Sequence, residues 1–229
     1  MVSIDRVYQK VLALANKEQR GYITPQEFNL FADHAQMEIF EQYFYDINQF
    51  KRVPGNDSEY ADMVDILEDK ISSFKQGPTT ITDSAVISSL SSNIPSLFYR
   101  LSDINYNGKI VEEIKYEDYY KTQYAPLTKA TSNRPVYFKK DNKIYFEPDL
   151  GDYSVHWIRK PSSPNWSYVV VNDKPLYNAT SAVDFELHGS EEIELVYRIL
   201  ALAGVAIEKP QLTQVAAGLQ GAQIQQEKQ

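Results

Sequence analysis

The residues with the chemistry to hold a cation lie in two stretches. Asp103-x-Asn105-x-Asn107-Gly108-x-Ile110 supplies oxygen ligands at the spacing of the leading positions of an EF-hand loop. The position where such a loop needs its bidentate closing acid is Ile114. Asn107-Gly108 is also a strong signal for a β-hairpin turn, and that reading is adopted. The second stretch, Asn16 to Glu27, places Gly21, Ile23 and Glu27 at loop positions. Asn16 replaces the leading acid there, and Arg20 puts a cation on a ligand position. A T-x-x-E capping box accounts for Thr24 and Glu27 without a metal, with Pro25 at the first helical position. No metal and no cofactor is therefore expected.

Other catalytic constellations are equally sparse. His34, His156 and His188 show no metal-ligand spacing and no nucleophile motif. No G-x-S-x-G and no phosphate-cradling glycine loop occurs. Glu112-Glu113 and Glu191-Glu192 read as solvated faces or helix-start acids, although a glycosidase pair would assemble only in the fold. Trp157, Trp166 and the 17 tyrosines offer material for a sugar-binding platform. The competing reading makes Trp157 part of a sheet core, with Pro161 and Trp166 on a proline-stiffened arm; all three are then structural. The expectation is that the chain is not an enzyme.

Composition narrows the partners. The 229 residues carry a formal net charge of −8 and no cysteine. Disulfide frameworks and thiolate metal sites are excluded. The basic clusters Lys139-Lys140 and Arg159-Lys160 are too small to grip nucleic acid by its phosphates. No signal-peptide pattern opens the sequence, because Asp5 and Arg6 interrupt its first residues. The longest apolar run, Ile199 to Ile207, is too short for a bilayer and contains Gly204.

The elements that position these residues follow from periodicity. Ile4 to Asn16 predicts a helix with Val7, Val11 and Leu14 on one stripe. A second helix starts at the capping box. Its face, Phe28, Phe31, Ala35, Ile39, Tyr43 and Ile47 widened by Leu30, Met37, Phe40 and Phe44, exceeds what the first helix covers. An antiparallel pair of these helices is expected, with Phe31, Phe40 and Phe44 left for subunit or partner contacts. Ser58 to Lys75 predicts a third helix stopped by Gly77-Pro78. Leu97 to Tyr106 and Lys109 to Ile114 predict a hairpin about Asn107-Gly108. Glu117 to Tyr124 predicts a short helix, and Val136 to Phe138 another strand. Ile144 to Glu147 and Tyr153 to Arg159 read as a second hairpin about Pro148–Asp152. In the last strand Tyr153, Val155 and Trp157 share one face. A helix capped by Ser190 follows, up to Pro210. The tail Gln211 to Gln229 has few apolar anchors, Leu212, Val215, Leu219 and Ile224, and is expected to order only against a partner.

The fold class is therefore α+β: an N-terminal helical bundle (1–78), an antiparallel β-sheet insertion (79–187) and C-terminal helix and tail (188–229), forming one structural unit overall.

Three stretches carry a family resemblance. They are VYQKVLALANKEQRGYITPQEFN at Val7 to Asn29, running on into Gln36, Ile39, Phe40 and Tyr43; W-I-R-K-P-x-x-P-x-W at Trp157 to Trp166; and D-F-E-L at Asp184 to Leu187, followed by E-L-V-x-R-I-L-x-L-A-G-V from Glu194 to Val205. In these the chain resembles the head-to-tail connector, or adaptor ring, proteins of short-tailed bacteriophages of the crAss-like and marine podovirus type. Residues 79 to 135 contribute little to it. The resemblance implies a structural virion protein without catalytic residues. It implies a homo-oligomeric ring, dodecameric in the family, docked below the portal protein at the head-tail junction after assembly in the host cytoplasm. Genomic DNA would pass its channel unbound, other tail proteins would dock on it, and the C-terminal segment would reach the portal. An acidic chain suits that channel. The alternative is a tail or fibre module that binds glycan on an aromatic β-sheet.

Overall fold

The computed structural model describes residues 1–17, 23–52, 58–81, 85–86, 97–141, 143–206, 218 and 221. The helices are α1 (Ile4–Lys17), α2 (Pro25–Arg52), α3 (Ser58–Ser72), α4 (Tyr119–Tyr124) and α5 (Glu192–Ala206). The strands are β1 (Lys75–Ile81), β2 (Ala85–Val86), β3 (Phe98–Tyr106), β4 (Lys109–Ile110), β5 (Glu112–Glu113), β6 (Val136–Lys140), β7 (Lys143–Glu147), β8 (Tyr153–Arg159), β9 (Tyr168–Val171) and β10 (Lys174–Tyr177). The α+β class holds. The chain forms two compact units, a helical one from Met1–Ile71 with Pro161–Gln229 and a β one, Ser72–Lys160.

In the helical unit, α2 starts where the capping box places it. The Glu27 carboxylate accepts from the Thr24 N–H (2.9 Å) and hydroxyl (2.8 Å), and Thr24 Oγ1 accepts from the Glu27 N–H (3.3 Å). These bonds, the Thr24 N–H first, hold the Glu27 carboxyl below its ordinary range. α1 and α2 meet through Tyr8 and Phe28, whose rings pack edge-on at 4.7 Å, and both helices also pack on α5. The reason lies in α5, whose Leu195, Val196, Ile199, Leu200 and Ala203 are all buried. A helix apolar on so many sides must be covered on more than one. At its start, His188 rather than Ser190 is the cap: its Nδ1 accepts from the Ser190 N–H at 3.3 Å, opening a 3-10 turn, Gly189–Glu191, that leads into α5.

The β unit holds two four-stranded sheets, ordered β1-β8-β3-β4 and β2-β7-β6-β5. All pairs are antiparallel except β5 with β6. Ile104, Tyr153 and Val155 of one sheet pack with Tyr137, Ile144 and Phe146 of the other to form the core. The expected hairpin of Ile144–Glu147 with Tyr153–Arg159 does not form. β7 spends its edges on β6 and β2, and β8 spends its edges on β1 and β3. Residues 148–152 instead carry the chain from one sheet to the other, and Phe146 stacks on Tyr153 across them (4.0 Å, 8°). The Asn107-Gly108 turn forms as expected, both residues left-handed at φ 45° and 75°. Its return strand then splits. Val111 donates to Ile104 O (2.8 Å) in the first sheet, while Ile114 donates to Tyr137 O (2.9 Å) in the second. Buried Val111 is the corner between sheets.

Two boundaries differ from the sequence reading. α3 ends at Ser72, and Gly77-Pro78 lies inside β1, because Lys75 and Gln76 already pair with Ile158 and Trp157. The β insertion ends at Lys160, not 187. Residues 161–187 belong with the helices because side chains of α2 and the N-terminus bind their backbone, as follows.

Candidate functional site

The arm Pro161–Trp166 is clamped on α2 by two amides seven residues apart, hence on one helix face. Gln36, fully buried, donates from Nε2 to Ser162 O (2.8 Å) and accepts at Oε1 from the Glu186 N–H (3.1 Å). Glu186 returns to the arm, accepting from the Ser162 N–H at 2.9 Å and its hydroxyl at 3.2 Å. Asn29 Oδ1 accepts from the Trp166 N–H (2.8 Å), and its Nδ2 donates to Asn165 Oδ1 (3.0 Å). Trp166 Nε1 donates to Asp5 (3.0 Å), and its buried ring packs on Tyr8 at 4.3 Å. The D-F-E-L stretch is equally occupied. Asp184 accepts from the Ile4 N–H at 2.9 Å and so caps α1. Phe185 bridges to Val2, and Leu187 is buried.

Charges inside the helical unit are paired. Lys70 Nζ lies 2.6 Å from buried Glu191, and Arg198 Nε donates to Glu194 at 2.8 Å. Arg198 also reaches Glu38 (3.2 Å) and Gln42. Lys10 bonds Glu192 at 2.6 Å, and this bond first of all holds the Glu192 carboxyl below its ordinary range, against the opposing effect of burial. Glu191 and Glu192 are helix-start acids, one of the two readings of the pair, and are not a solvated face: one is in the core with Lys70, the other joins α1 to α5. Glu112 and Glu113 bind Arg134 and Lys139 on the surface of the β unit. Tyr137 donates to Glu113 at 2.9 Å, and its hydroxyl pKa is pushed up by burial and by that carboxylate.

The residues singled out in the sequence fall in different places. Thr24 and Glu27 form the cap; Trp157, Pro161 and Trp166 are buried. Trp157 is further covered by Phe98 stacked at 5.8 Å. A sugar platform would have to use other aromatic rings than these two tryptophans. Phe40 is fully buried and packs edge-on against Phe44 at 5.1 Å, so it is a core residue and not a contact surface. Phe31 and Phe44 are half-buried. Leu212, Val215, Leu219 and Ile224 lie outside the described residues.

The exposed apolar surface is elsewhere. Leu30 and Tyr45 stand out from α2, 72% and 67% exposed. A groove of about 360 Å³ between α1 and α5 is lined by Ala13, Leu14, Ile193, Val196 and Tyr197 with Lys10. A second, of about 420 Å³, involves Asp46 and Phe50 of α2 and Met63, Ile66 and Leu67 of α3. The β9–β10 ribbon exposes Val169, Val170, Val171 and Leu176. Among the described residues no group of three acids or histidines is placed to share a metal, and no helix is long and apolar enough to cross a membrane. No protein-family model matches the chain, and no curated protein is similar to it.

Proposed function

We propose that the protein is a structural subunit of a bacteriophage head-to-tail connector ring, docked beneath the portal protein, with a channel for DNA and a platform for tail proteins. It has no enzymatic role and needs no cofactor. The observation that carries this reading is the pair of apolar grooves in the helical unit, one on α1 and α5, the other on α2 and α3. A cyclic ring is built from heterologous contacts, which require two different surfaces on each subunit. The resemblance in Val7–Asn29, Trp157–Trp166 and Asp184–Val205 supports the same reading. So does the net charge of −8, which disfavours adhesion of DNA. Native mass spectrometry and electron microscopy of the purified protein, alone and with portal, test it. A closed ring, dodecameric with portal, is the expected result; a protein that stays monomeric with portal present refutes it.

A further inference from the structure

The β9–β10 ribbon has one open edge and one closed edge. Its turn, Asn172-Asp173, has both residues left-handed at φ 51° and 60°, as a two-residue hairpin turn of the right twist requires. Val171 pairs with Lys174, Val170 with Pro175, Val169 with Leu176 and Tyr168 with Tyr177. The Asn178 N–H donates to Ser167 O at 2.8 Å, which fixes the phase of the ladder. Hydrogen-bonded and non-hydrogen-bonded pairs alternate in an antiparallel ribbon. The pairs 167/178, 169/176 and 171/174 therefore bond inward. The main-chain groups of Tyr168 and Val170 point out from β9, and those of Pro175 and Tyr177 point out from β10.

Pro175 thus occupies an outward position of β10 and has no N–H to offer there, a device that closes a sheet edge. β9 has no such block. It presents the N–H and C=O of Tyr168 and Val170, and among the described residues no strand lies beyond it. Val169, Val170 and Val171 are 52%, 60% and 46% exposed. The edge is held ready from below. Tyr168 and Tyr177 both stack on Trp166, at 5.8 Å and 5.7 Å, and Trp166 is fixed by Asp5. A pre-ordered edge loses less entropy on binding. Two carboxylates lie at the base of the ribbon: Asp5 holds Trp166, on which Tyr168 stacks, and Asp5 and Asp184 both act on the Tyr177 hydroxyl.

We infer that the β9 edge is a strand acceptor, which takes an extended, β-branched segment of a partner protein, flanked by lysine or arginine, as the third strand of the ribbon. Main-chain bonds to Tyr168 and Val170 give the affinity, the valines give side-chain contacts, and the carboxylates at the base of the ribbon select the basic flank. The identity of the donor, portal or next tail component, rests on the connector reading; the acceptor chemistry does not.

The probe is a short blocked peptide of alternating valine and threonine with lysine at each end, added to the full chain. Amide exchange by NMR is expected to slow at Tyr168 and Val170 by at least about tenfold, since hydrogen bonding blocks exchange, while the inward Val169 amide is unaffected. Binding is expected to weaken with salt, and to be weaker still for a glutamate-flanked peptide. Val170→Pro removes an outward N–H and no inward one, and is expected to abolish binding. Val170→Lys, which keeps the ladder and repels the basic flank, serves if the proline variant does not fold. Unchanged exchange at Tyr168 and Val170 with millimolar peptide, or undiminished binding by both variants, overturns the proposal. Rings without peptide binding would remove the acceptor and leave the connector reading; peptide binding without rings would do the reverse.

Discussion

Replacing Gln36 by leucine separates a clamp from a spacer. The substitution keeps the side-chain volume but removes both polar atoms. Ser162 O loses its 2.8 Å donor and the Glu186 N–H loses its 3.1 Å acceptor. Gln36 itself is fully buried, so little water can replace it. A hydrogen bond is worth about 1 kcal/mol net, and a buried partner left unsatisfied costs about 1–3 kcal/mol. Ser162 and Glu186 are only half-buried, which places the total at about 2–4 kcal/mol. For a chain of this size each kcal/mol lowers Tm by about 2–4 °C, so Gln36→Leu should lower it by about 5–15 °C. The assay is thermal unfolding followed by far-ultraviolet circular dichroism for the helices. Tryptophan emission reports Trp157 and Trp166 in parallel. The double variant Gln36→Leu, Glu186→Gln should destabilise by less than the sum of the single changes, because both act on one network. A Tm within about 2 °C of the parent would refute the clamp, since the loss of even one buried bond exceeds that.

Two further predictions follow from local geometry. Gly77 sits at φ +122°, and a Cβ there would come within 2.8 Å of Val155 O and 3.1 Å of His156 Nδ1, whereas nothing lies within 4 Å of a Cβ at Gly108. Gly77→Ala should therefore lower the urea midpoint of the β unit clearly more than Gly108→Ala, whose cost of about 1 kcal/mol is backbone strain alone; equal midpoints would refute the crowding at Gly77. Glu192 has its pKa depressed by Lys10 below the ordinary 4.5, so the pair stabilises the fold fully above that value and the contribution is lost as pH falls through the folded pKa. Lys10→Met should thus be less stable than the parent at pH 7 and converge with it in acid, as measured by denaturant unfolding across pH 2 to 7 (an about five-unit window spanning the usual carboxylate range).

Local chemistry was legible in the sequence, and pairing was not. The capping box and the Asn107-Gly108 turn are determined by neighbours in the chain, and they appear where their residue types place them. The same turn logic at Pro148–Asp152 misled. Turn residues say that the chain reverses, but not which strand the returning segment meets. That was decided by Phe146 and Tyr153, which face each other from opposite sheets. α3 stopped early for a similar reason: Lys75 and Gln76 have strand partners eighty residues away that helix periodicity does not register. Gln36 and Arg198 carried a signal that went unused. Each is a polar residue inside an apolar helical stripe, between Ala35 and Ile39 in one case and Val196 and Ile199 in the other. A polar group in such a place must be bonded, and its partner was the arm for Gln36 and Glu194 for Arg198.

The way the chain enters and leaves the β unit has a consequence for modularity. Phe74 and Arg159 stand side by side, the Arg159 N–H donating to Phe74 O at 3.0 Å, and Lys75 is paired with Ile158. Nearly ninety residues are therefore spliced into the helical unit through a doorway one strand-pair wide. A short turn joining Ser73 to Lys160 spans the same gap, because facing strands lie about 5 Å apart. The two ends that the β unit presents to the rest of the chain are thus held a strand-pair apart by their own main-chain bonds. Residues 79 to 135 lie within that insert; the clamping residues Asn29 and Gln36 and the capping residue Asp184 all lie outside it.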